Sequence, residues 1–90
     1  MEICRRCVVQ GHVQGVFFRQ NAYEKAVELG VKGWVRNCED GTVECKVCGE
    51  PPLVELMCEW LKVGPPAASV ENFKLEDIPL EEYHRFEILY

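Results

Sequence analysis

No apolar run in these 90 residues approaches the length a bilayer crossing needs. No charged-then-apolar secretory leader opens the chain, so the sequence reads as a cytosolic protein without a membrane partner. A basic excess is missing too. The formal charge is −5, and nucleic acid demands a basic surface, so nucleic acid is not expected as a partner. Histidine is scarce, with only His12 and His84, and no His/Asp dyad is evident. There is no internal repeat, low-complexity tract or linker. The length suits one core, so residues 1–90 read as a single domain, expected to act as a freestanding monomer.

What charge there is lies unevenly. Residues 1–45 hold 6 Lys/Arg and 6 Asp/Glu, whereas residues 46–90 hold 4 and 9. A small anion needs only one well-placed cation, and the neutral half is where such a site is expected.

Along the chain, Ile3–Gln10 is rich in β-formers and stops at Gly11, which predicts a first strand. Gln20–Leu29 predicts a helix with Ala22, Tyr23, Ala26, Val27 and Leu29 as its apolar stripe and Gly30 as its stop. Gly33–Cys38 and Thr42–Cys48 predict two strands around Glu39-Asp40-Gly41, a hairpin signal. A second helix is expected over about Pro52–Val63, with Leu53, Leu56, Met57, Trp60 and Leu61 facing the core. After the Gly64-Pro65-Pro66 break come a weaker strand at about Ser69–Leu75 and a last one over Tyr83–Tyr90, where residues alternate with period two. Two helices covering one face of a mainly antiparallel sheet of four to five strands make an α+β, ferredoxin-like α/β sandwich.

Gly11-His12-Val13-Gln14-Gly15-Val16-Phe17-Phe18-Arg19 joins the first strand to the first helix. A helix start offers unpaired N–H groups and the positive end of its dipole. Glycine lets the backbone close around an anion, and Arg19 in the first turn can grip that anion with a bidentate fork. Geometry alone leaves two readings open: a phosphate cradle, or a plain connection with an exposed arginine.

The wording of the loop separates them. Gly11-x-Val13-Gln14-Gly15-Val16-x-Phe18-Arg19 closely resembles the signature of the acylphosphatase family. The run from Gly33 to Glu44 resembles that family's second block, and the Gly64-Pro65-Pro66 break and the Phe86-x-Ile88 ending also match. Phe17 is a modest departure, because many members carry a smaller residue there; it bears on the fit around the acyl group. The resemblance implies hydrolysis of the carboxyl–phosphate bond of small acyl phosphates, without metal or organic cofactor. By position, Arg19 and the amides of Gln14, Gly15, Val16, Phe17, Phe18 and Arg19 would hold the phosphoryl oxygens, and Asn37 would orient the attacking water. A carboxylate leaves with a pKa of about 4, so no general acid need protonate it. His12 then needs no part in bond-making, His84 is expected to be structural, and Arg36, facing away from Asn37, to lie at the surface.

Six cysteines include Cys4-x-x-Cys7 and Cys45-x-x-Cys48, a pattern that ordinarily suggests zinc. In strands, however, residues three apart face opposite sides of the sheet, so these four sulfurs cannot readily share one ion. In this fold the first and third strands are antiparallel neighbours, and both Cys4 with Cys48 and Cys7 with Cys45 sum to 52. Cys45 alternates with Val43 and Val47, which marks Cys7 and Cys45 as the core side. Cys4 and Cys48, expected to be the more accessible pair, are the choice for a disulfide if one forms, the alternative in a reducing cytosol being six free thiols. Arg5 falls on the core-side parity and has to reach out from the sheet's end. Cys38 and Cys58 have no evident partner and read as small buried hydrophobes.

Two other classes compete with the enzyme: a non-catalytic ferredoxin-like module binding an anion, or RNA on its open sheet face, and a zinc module. RNA readers of this shape stack bases on aromatics of the first and third strands, and here those strands carry none.

Overall fold

Strand β1, Ile3–His12, buries Cys7 and Val9 on one face and Cys4 on the other, and runs two residues further than expected. The extension passes a register shift between Gln10 and Gly11. A Cβ on Gly11 would meet the Ser69 carbonyl oxygen at 2.2 Å, so only glycine lets the two backbones approach there. The computed structural model describes all residues, Met1–Tyr90. The remaining elements are α1 (Phe18–Leu29), β2 (Lys32–Asn37), β3 (Val43–Gly49), α2 (Pro51–Val63), β4 (Ser69–Ile78) and β5 (Phe86–Leu89).

The five strands form one sheet in the order β4-β1-β3-β2-β5. All neighbours are antiparallel except β2 and β5, which run parallel. This is the ferredoxin-like α+β arrangement, a mostly antiparallel mixed sheet with two helices. The last strand must return to the far edge to lie beside β2, which carries the C-terminus to the mouth of the β1–α1 loop.

One face of the sheet meets the helices. Cys7 and Val9 of β1, Val35 of β2, and Val43, Cys45 and Val47 of β3 pack with Ala22 and Ala26 of α1 and Val54, Met57 and Leu61 of α2. The buried helix faces differ from the expected stripes. On α1, Phe18, Ala22 and Ala26 are buried while Tyr23 and Val27 are exposed. On α2, Val54 and Cys58 are buried and Leu56 is exposed. Helix α2 is apolar on most sides, so its sequence fixes the period of burial but not its phase; the sheet decides which side goes in. Burying a side chain such as Leu61 or Met57 contributes about 1.5–3 kcal/mol. No helix is long and apolar enough to cross a membrane.

Cys4 pairs with Cys48 and Cys7 with Cys45 across β1 and β3. A disulfide joins Cys4 to Cys48, whose Cα atoms lie 4.1 Å apart, the spacing of the closer, non-hydrogen-bonded kind of pair. Closing a separation of 44 residues stabilises the fold by about 4 kcal/mol in the chain-entropy model. The pair is not the accessible one expected. Both half-cystines are buried, because the chain after β4 folds over them and the Glu81 N–H donates to Cys4 Sγ at 3.3 Å. Two further thiols also differ from expectation. Cys58 has a close neighbour, with its Sγ 3.6 Å from that of Cys7, and Cys38 is only half-buried, at the hairpin.

The opposite sheet face is polar around one buried acid. Glu44 accepts hydrogen bonds from Arg6 and, at 2.7 Å, from Arg36; Arg6 also reaches Glu76 at 3.2 Å. Arg36 lies over Trp34, on the face away from Asn37. Burial pushes the Glu44 carboxyl up, and the hydrogen bonds from Arg36 and Arg6 outweigh it, leaving the pKa below the ordinary glutamate value. A depressed folded-state pKa contributes stability that is complete above the unfolded value and is lost as pH falls through the folded one. The urea midpoint is therefore expected to drop as pH falls below about 4. Glu44→Gln should lower stability at pH 7 by about 2 kcal/mol and flatten that part of the acid limb. An unchanged acid limb would show that Glu44 carries none of it.

Candidate active site

Between β1 and α1 the backbone takes two left-handed steps, at Gly15 (φ 75) and at Phe17 (φ 62). Phe17 is the only non-glycine residue with positive φ, a conformation that costs a residue bearing a Cβ. Glycine would suit this backbone better, and the phenyl ring itself projects into solvent. The turn serves the helix start. Phe17 is the N-cap of α1 and makes no side-chain capping bond, and no acidic residue occupies the first turn. Instead the Phe17 carbonyl accepts hydrogen bonds from the backbone and side chain of Asn21. None of the backbone hydrogen bonds outside the regular elements has Gly15, Val16, Phe17, Phe18 or Arg19 as its donor. Open amides at the positive end of a helix dipole suit an anion.

Three buried residues anchor the loop, Val13 (wholly enclosed), Val16 and Phe18. Val16 enters the core, and Phe18 packs edge-on against Trp60 with centroids 5.6 Å apart. Gln14 points elsewhere: its Nε2 donates to the Cys38 and Thr42 carbonyls at 2.8 and 2.9 Å. Those residues close the β2–β3 hairpin, where the Cys38 N–H donates to the Thr42 carbonyl. Asn37 is the last residue of β2, so the Gln14 side chain sets the spacing between the loop and Asn37.

A cavity of about 230 Å³ opens between them, lined by Gly15, Phe17, Phe18, Arg19, Asn37 and Tyr90, among others. Arg19 and Asn37, 18 residues apart in sequence, thus meet at one concavity. The side chains of Gln14 and Val16 do not line it; what these two residues can offer an anion is their amides. His12 and His84 are exposed and stand outside this lining.

Arg19 is steadied by the end of the chain, which the sequence reading missed. Its Nη1 donates to the Leu89 carbonyl at 3.1 Å, and its guanidinium carbon lies 4.9 Å from the centre of the Tyr90 ring. Its partners here are a backbone dipole and a π face, so its full charge is not neutralised by a carboxylate. The alternation over Tyr83–Tyr90 signals a strand, but that strand's contact with Arg19 depends on parallel pairing with β2. Local pattern does not carry that information.

The Cys4-x-x-Cys7 and Cys45-x-x-Cys48 pairs do not converge. Cys7 and Cys45 face the helices, Cys4 and Cys48 are joined on the other face, and no group of three or more His, Cys, Asp or Glu side chains is placed to hold a metal ion.

The acylphosphatase family model matches residues 5–88. The chain belongs to the acylphosphatase family. An acylphosphatase of Nitrosococcus oceani is 47% identical over 88 residues, 98% of this chain and 99% of that protein. The solved acylphosphatase of Coxiella burnetii superposes with a TM-score of 0.94 at 44% identity, covering 98% of this chain and 93% of its own. The acylphosphatase of Bacillus subtilis gives 0.93 at 35% identity, with both chains covered in full. The family's reaction is hydrolysis of acyl phosphates (EC 3.6.1.7).

Proposed function

We propose that the loop amides from Gln14 to Arg19 and the Arg19 guanidinium hold the phosphoryl group of a small acyl phosphate, and that Asn37 orients the water that attacks it. The observation that carries this reading is the shared cavity, where uncapped helix amides, an arginine without a carboxylate partner and a carboxamide face one space.

The chemistry asks little more. Water attacks phosphorus on the side away from the acyl oxygen, the P–O bond to the carboxylate breaks, and negative charge spreads over the three remaining phosphoryl oxygens. Donors fixed before the reaction stabilise that charge without reorganising. A carboxylate departs at neutral pH without a proton, so positioning and electrostatics suffice. The Asn37 carboxamide can accept from the water and donate to a phosphoryl oxygen, which aligns nucleophile and target.

Leaving-group dependence is the test. With chelator present, the protein should turn over acetyl or benzoyl phosphate, whereas an alkyl phosphomonoester, whose alkoxide leaves poorly, should remain near the uncatalysed rate. Comparable rates on both substrates, or loss of acyl phosphate turnover on chelation, would contradict the mechanism.

A further inference from the structure

Away from the phosphate cradle, the thiols of Cys7 and Cys58 meet between β1 and α2, and the function described above uses neither. Their sulfurs are 3.6 Å apart, and the residues are 51 positions apart in sequence. Cys7 is wholly enclosed. Cys58 is nearly so, yet it lines a groove of about 610 Å³ together with Arg5, Glu55, Leu56, Glu59 and Lys62. Arg5 is the residue whose parity directs it to the core side; it emerges at the sheet's end, paired with Asp77 at 3.0 Å, and borders the same groove. One thiol therefore has an approach from solvent beside a guanidinium, and the other lies behind it.

We propose that Cys58 is a peroxide-reactive thiol and that Cys7 is its resolving partner, because Cys58 borders the Arg5 groove and the two sulfurs are already in van der Waals contact. The electrostatics agree in direction. A hydrogen bond from Cys7, helped by the neighbouring Arg5, draws the Cys58 thiol down against burial and the Glu59 charge, which push it up. The same hydrogen bond, followed by burial, pushes Cys7 up, as expected if Cys7 donates and Cys58 accepts. Cys45, opposite Cys7 on β3, is fully enclosed and pushed up by burial.

The reaction runs in two steps. The Cys58 thiolate attacks one peroxide oxygen, the O–O bond breaks, and the departing hydroxide or alkoxide takes up a proton, leaving a sulfenic acid. The Cys7 sulfur then attacks the Cys58 sulfur, the S–O bond breaks, and hydroxide leaves with the Cys7 proton as water. Two thiols have given two electrons to the peroxide, and a disulfide crosslinks β1 to α2.

Solvent exposure alone would favour Cys38, the one half-buried free thiol, and that contrast makes the proposal testable. The folded protein, with its Cys4–Cys48 bridge intact, should be treated with stoichiometric hydrogen peroxide, quenched, denatured and mapped without reduction. Its four free thiols should fall to two, with Cys7 and Cys58 in one linked peptide before Cys38 is modified. In Cys7→Ser, a cyclic β-diketone should capture the sulfenic acid on Cys58. Oxidation of Cys38 with Cys58 intact, a Cys7–Cys45 bridge, or four surviving thiols would each overturn the assignment, and the wild-type map reads all three without any variant.

Discussion

Arg19→Ala should lower kcat/KM for benzoyl phosphate by about 10³-fold, a loss of about 4 kcal/mol of transition-state stabilisation. Deleting a single preorganised donor costs about 10²–10³ in rate, and Arg19 supplies a fork of donors together with a full charge. Nothing nearby replaces it. The other residues that line the cavity bring amides, the carboxamides of Gln20 and Asn37, and aliphatic and aromatic side chains, and no second cation. The fold should survive the substitution, since Arg19 is half-exposed and its protein contacts are the Leu89 carbonyl and the Tyr90 ring. Arg19→Lys should recover only a small part of the activity. Its point charge remains, but a lysine cannot span two phosphoryl oxygens while resting on Tyr90 and Leu89. Steady-state kinetics beside a circular-dichroism melt checks both variants. Activity within tenfold of wild type in folded Arg19→Ala would remove Arg19 from the site.

Asn37→Ala should act differently, lowering kcat by about 10²-fold while KM stays close to wild type. The phosphoryl group would still be held by Arg19 and the loop amides, so binding persists. What disappears is the alignment of water with phosphorus, and loss of an interaction that matters mainly in the transition state shows in kcat. The backbone of Asn37 pairs with Val43 in the sheet, so replacing its carboxamide leaves the hairpin in place. A large rise in KM at unchanged kcat would instead make Asn37 a binding residue.

The pairing of Cys4 with Cys48 and of Cys7 with Cys45 follows from one number sum, because β1 and β3 are antiparallel neighbours and a register is a single integer. That a glycine loop, a helix start and Arg19 come together is legible because they lie within nine consecutive residues, whereas their reading as a phosphate cradle rests on the family resemblance. The phase of the helix faces is not legible: Leu56 and Val27 point to solvent, whereas Val54 and Cys58 point inward, and an apolar helix takes its orientation from what it packs on. The closed environment of Cys4 and Cys48 depends on the segment around Glu81, which strand alternation says nothing about. Gln14 was read for its amide, while its side chain fastens the loop to the Asn37 hairpin. Tyr90 reaches Arg19 through the parallel return of β5, a contact between chain positions 71 residues apart that no local pattern encodes.

Those last two contacts bear directly on the proposed chemistry, because they tie the loop to the Asn37 hairpin and rest the Arg19 guanidinium on the last strand, around one cavity. The central claim is that this cavity binds a phosphoryl group through backbone amides and Arg19 together. Amide-resolved NMR during titration with inorganic phosphate, the reaction product, tests it most directly. The account predicts saturable shifts concentrated in the amides of Gln14 to Arg19 and the side chain of Asn37, abolished in Arg19→Ala. Shifts centred instead on Arg6, Arg36 and Lys46 of the open sheet face, or shifts in the loop that persist without Arg19, would contradict it.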